Sequence, residues 1–111
     1  MVQLDNLNFS TSLGVLFELK NIKGHKTINE TYKSLETDDL DNILEIMSIS
    51  YNKANKTVYT VEEFTELLDS KNFGFIKIAE GYAKIVEAIM FNGLSPEEIA
   101  ERKNALTNLK K

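Results

Sequence analysis

The chain has no cysteine, one proline, one histidine and five glycines in 111 residues. Without cysteine there is no disulfide framework and no thiolate metal site, which suits a reducing compartment. The lone His25 sits between Gly24 and Lys26. It has no second histidine to share a metal, and no positioned nucleophile or orienting partner that would make it a general base. It reads as a solvated turn residue. No apolar run approaches the length of a membrane span, and the start of the chain lacks a basic-then-apolar signal pattern. A soluble, cytoplasmic protein with no membrane partner is therefore expected. A net charge of −4 argues against general nucleic-acid affinity. Glycine-rich phosphate loops, nucleophile elbows and dinucleotide fingerprints are missing too. No catalytic residue, cofactor or metal site is assigned, and no enzyme is expected.

What the sequence does contain is helical periodicity in a composition 42% apolar and 27% charged, which reads as one globular domain over residues 1–111. The strongest run, residues 73–92, puts Phe75, Ile78, Tyr82, Ile85 and Ile89 on one face, with Ala79, Val86 and Met90 beside them. Ile76 and Ala83 widen that face to roughly half the circumference, beyond the ~100° stripe of an ordinary surface helix. A face so wide should pack against two neighbours, and the rest of the chain is expected to be organised around it. Lys77, Glu80, Lys84 and Glu87 take the opposite side, and Gly93 follows as a left-handed terminator.

The other segments predict a mainly α fold, a compact bundle of about five to six helices. Residues 1–9 alternate as Val2, Leu4 and Phe9 among polar residues, with Leu7 out of phase. They form a strand, a loose arm or plain coil; a strand would pair near residues 57–59 or with another copy. Ser10, Thr11 and Ser12 offer caps for a helix with Leu13, Leu16, Phe17, Leu19 and Ile22, ending before Gly24. Gly14 within it implies close approach of a neighbour. Thr27 with Glu30, and Thr60 with Glu63, are capping-box pairs. Thr37 starts a helix in which Leu40, Ile43, Leu44, Met47 and Tyr51 form a second strong stripe. Ser95, Pro96 and Glu98 open a last helix, so residues 94–111 form a C-terminal helix weakly anchored by Ile99, Leu106 and Leu109.

Two further patterns fail as chemistry. Residues 69–80 place Asp69, Gly74, Ile76 and Glu80 as a calcium loop would, but Lys71 and Phe73 occupy ligand positions. Residues 93–102 start like the first helix of a helix-turn-helix, yet the helical pattern runs on through Leu106 without the sharp turn that motif needs. The acidic cluster Asp38, Asp39 and Asp41 reads as a helix start.

The order of elements resembles another class. The cadence LNFSTSLGVLFELKNIKG is followed by TDDLDNILEIMSISYNKAN and TVEEFTELLD, then a long apolar helix and a charged tail. From about Leu7 to Leu109 this resembles the tail assembly chaperones of long-tailed phages and prophages of Gram-positive bacteria. The resemblance implies a non-enzymatic protein that binds the helical tape measure protein and keeps it soluble in the host cytoplasm. Self-association is a separate expectation. A helical client needs apolar side chains outside the main stripes. Tyr59, Phe73, Phe91 and Leu94 are the candidate partner-binding residues. The alternative reading, carried by residues 94–102, is a small helical DNA-associated regulator.

Overall fold

The break in alternation at Leu7 is a turn. In the computed structural model, β1 (Val2–Leu4) and β2 (Leu7–Phe9) form an antiparallel hairpin, with Val2 opposite Phe9 and Leu4 opposite Leu7. Asp5 and Asn6 connect them with φ of 46° and 68°. Positive φ at both central residues is the two-residue hairpin turn whose twist matches the strands, and Asn and Asp tolerate it best after glycine. The strand thus pairs within residues 1–9, not with residues 57–59 or a second copy. The structure describes residues 1–92 and 95–109, with residues 105–109 as backbone only.

The hairpin is fastened to the helices by a reciprocal pair of hydrogen bonds. The Ser10 amide donates to the Ser50 carbonyl at 3.0 Å, and the buried Ser50 hydroxyl donates to the Ser10 carbonyl at 2.6 Å. The Asn55 side-chain amide also donates to the Asn8 carbonyl at 3.0 Å. Leu7 and Phe9 then turn inward, and Phe9 meets Phe64 and Tyr51 edge-on with centroids 6.1 and 5.9 Å apart.

Helix α1 (Leu13–Lys23) ends at Gly24, whose φ of 69° returns its amide to the Lys20 carbonyl. Its buried residues are Val15, Leu16 and Leu19, whereas Leu13, Phe17 and Ile22 are exposed. The stripe therefore lies further round the helix than its spacing predicts. Gly14 does meet a neighbour: a Cβ there would lie 2.5 Å from Lys53 Cε. Helix α2 (Ile28–Ser34) begins with the Thr27 hydroxyl accepting the Glu30 amide, while the Glu30 carboxylate accepts the Lys26 amide. His25, in the turn between α1 and α2, is half-buried rather than fully solvated, with Nδ1 2.9 Å from the Thr31 hydroxyl.

Helix α3 (Leu40–Asn55) is capped by Asp39, not Thr37; the Asp39 carboxylate accepts the Asp41 amide at 2.9 Å. From Ile46 to Ser50 every residue of α3 is buried, because small serines alternate with apolar side chains. This helix is the hub: β2, α1, α4 and α5 all pack on it. The expectation that the later apolar helix occupies the centre is thereby corrected, and Leu40 is only half-buried. Helix α4 (Val61–Ser70) starts with a complete Thr60–Glu63 capping box and sends Phe64 and Leu68 into the core. Four residues, 71–74, lead into α5 (Phe75–Phe91). Helix α6 (Pro96–Leu109) starts as its sequence predicts, with the Glu98 amide donating to the Ser95 hydroxyl. None of the described helices is long and apolar enough to cross a membrane.

Candidate functional site

Helix α5 has two apolar faces, and the described residues fully cover one of them. Ile78, Gly81, Tyr82, Ile85 and Ile89 are buried against β1 and α3. Gly81 is what lets β1 come so close, since a Cβ there would lie 2.7 Å from Leu4 Cδ1. The salt bridge from Lys77 to Asp5 in the hairpin turn holds the same contact from outside. About a quarter-turn round the helix, at 3.6 residues per turn, lies a second stripe made by Phe75, Ala79, Ala83, Val86 and Met90. Phe75 is 61% exposed and Met90 38%, and Ile76 on the edge of the stripe is 71% exposed. Phe75 was expected in the core; instead it stands at the mouth of a groove.

The opposite wall of that groove is the connection between α2 and α3, residues 35–38. It is held there by Tyr82, whose hydroxyl donates to the Leu35 carbonyl at 2.7 Å. Burial pushes the Tyr82 phenol up to about 12, so this donor keeps its proton throughout the physiological range. Ile43 and Tyr82 lie in the groove between the two walls, which enclose about 600 Å³. At the α6 end the Lys103 ammonium binds the Glu87 carboxylate at 2.7 Å. Ala79 and Ala83 keep the α5 wall shallow, so a second helix backbone can approach along its length. From Phe75 to Met90 the stripe is about 22 Å long at 1.5 Å per residue, four helical turns.

Of the four residues singled out by sequence, Tyr59 and Phe73 fall elsewhere and Phe91 lines the groove. Tyr59 is 39% exposed and stacks on Tyr51 with ring centroids 5.7 Å apart, away from the groove. Phe73 is 5% exposed and committed to the core, with the Lys77 ammonium 4.4 Å above its ring. Phe91 is buried and lines the groove at its α6 end. Leu94 lies outside the described residues. The α5 residues of the groove were counted in one apolar face with the buried ones and not named as partner-binding, although the width of that face was their signal.

The groove offers apolar contact along its α5 wall. No cluster of His, Asp and Glu able to hold a metal occurs among the described residues. The calcium-like segment is mostly helix, with Asp69 inside α4 and Glu80 inside α5. Only four residues of loop remain where such a site needs twelve. The segment that starts like a helix-turn-helix is one continuous helix, Pro96–Leu109, with no sharp turn in it. Comparison of the chain with known protein families, with curated proteins and with solved structures finds no match.

Proposed function

We propose that this protein is a non-enzymatic chaperone for an apolar helical client. In the setting its sequence resembles, it is a phage tail assembly chaperone that keeps the tape measure protein soluble in the bacterial cytoplasm. One observation carries this reading. Helix α5 has more apolar surface than β1 and α3 cover, and among the described residues Phe75, Ile76 and Met90 are left exposed. Leaving Phe75, Ile76 and Met90 in water forgoes burial worth ~1.5–3 kcal/mol for each side chain fully covered. A soluble domain that keeps such a contiguous stripe uncovered is equipped to cover it with something else. An amphipathic helix laid in a groove, with anchors at i, i+4, i+7 and i+11, is the recurring way to do so. The length of the stripe, the small residues along it and the fixed opposite wall all suit that occupant.

The test is co-expression with a candidate tape measure protein. The client should move into the soluble fraction and co-purify with the wild-type chain, and Ala83→Glu should abolish this while circular dichroism shows an intact fold. A client that stays insoluble with the wild type, or is rescued equally by Ala83→Glu, would overturn the proposal.

A further inference from the structure

We infer that the helix this groove accepts carries basic residues along one flank, read by the Glu36 and Asp38 carboxylates. This rests on the helix-binding reading above and narrows it to a partner chemistry. Both acids line the groove from the wall opposite α5, and both are exposed. Among the described residues the fold makes no use of either carboxylate. Asp39 caps α3 and Asp41 lies in its first turn, while Glu36 and Asp38 sit outside the helix. No ion pair among the described residues includes Glu36 or Asp38. On the α5 side, by contrast, the one acid lining the groove, Glu87, is already bound by Lys103. The groove therefore has an apolar wall with its charge compensated and a facing wall with two carboxylates left to a partner.

A helix of about 15 residues lying along the 22 Å stripe would direct its apolar positions at α5. Residues on one shoulder would then face the 35–38 wall. Lysine or arginine there can lay its methylene stem on the apolar rim and carry its charge to Glu36 or Asp38. Glutamate at the same positions meets like charge beside a low-dielectric surface. A second copy of this chain is the weaker occupant. Its own α5 stripe would bring a second Glu36 and Asp38 wall against the first, and its exposed stripe on α1, Leu13 and Phe17, is one turn long and continues as Lys20 and Asn21.

The experiment uses three fluorescein-labelled 18-residue peptides with one common apolar stripe and lysine, glutamine or glutamate on the flanks. Binding is read by fluorescence anisotropy at low ionic strength. The lysine peptide should bind at least tenfold more tightly than the glutamate peptide, with glutamine between, and the spread should shrink in 1 M salt. The double variant Glu36→Lys, Asp38→Lys should reverse the order while keeping its circular dichroism spectrum. Equal affinity for all three, sensitive to Ala83→Glu, overturns the charge inference and leaves the helix-binding reading standing. Failure of every peptide to bind, or binding indifferent to Ala83→Glu, overturns both. A dimer in sedimentation velocity that Ala83→Glu dissociates would assign the groove to a second copy and also overturn the inference.

Discussion

Replacing Ile85 and Phe75 by alanine, one at a time, separates the two faces of α5. Both residues are large, apolar and on the same helix, and sequence alone ranks them together. Ile85 is fully buried between α5 and its packing partners. Truncating it removes transfer free energy and leaves a cavity, at a cost of about 2–5 kcal/mol. Phe75 is 61% exposed, so less than half of its surface is lost from a packed environment. That loss is about 1 kcal/mol at most, and alanine returns up to about 0.5 kcal/mol through its higher helix propensity. For a domain of this size, 1 kcal/mol moves the melting temperature by roughly 4 °C. Ile85→Ala should therefore melt on the order of 10–20 °C lower, and Phe75→Ala within about 3 °C of the parent. Thermal circular dichroism, backed by urea titration to confirm an unchanged m-value, reads both. Equal losses from the two variants would refute the division of α5 into an inner and an outer face.

Three other perturbations probe the supports of that arrangement. Asn6→Val forces a β-branched residue into the left-handed turn and should cost about 1–2 kcal/mol in urea unfolding, whereas Asn6→Gly should be neutral or stabilising. Ser50→Ala removes the buried donor to the Ser10 carbonyl and should cost about 1–3 kcal/mol, with faster amide exchange in β2 as its local signature. Tyr82 makes stability pH-dependent at the alkaline end. The unfolded phenol loses its proton near pH 10 and the folded one near 12, so its contribution is complete below pH 10 and fades as pH rises to 12. In Tyr82→Phe the alkaline fall in stability, followed by urea midpoints from pH 9 to 12, should be shallower.

The helices were legible in the sequence because their ends carry local chemistry. Thr60 with Glu63, Ser95 with Pro96, and Gly24 after Lys23 each act over one turn, and each stands where its pattern places it. The hairpin was not, because its signal is the phase break at Leu7, and Asp5-Asn6 is a weaker turn mark than a glycine-containing pair. The hub was misplaced for a different reason. Ser48 and Ser50 lower the apolar count of α3, yet their hydroxyls are satisfied by the Glu45 and Ser10 carbonyls and let the helix be buried nearly all round. Periodicity likewise showed that α5 has an apolar face too wide for one neighbour, but not which part of it stays open. That depends on Gly81 drawing β1 to one side and on Tyr82 fixing the 35–38 connection, contacts that link residues 77 and 47 positions apart.

The most direct measurement of the central claim is site-specific photocrosslinking after co-expression with the proposed client. A benzophenone amino acid at position 83, in the outer stripe of α5, should crosslink to an apolar helical segment of the tape measure protein. The same group at position 17, on the exposed face of α1, should not. Crosslinks from position 17 with none from position 83 would place the client elsewhere and contradict the account.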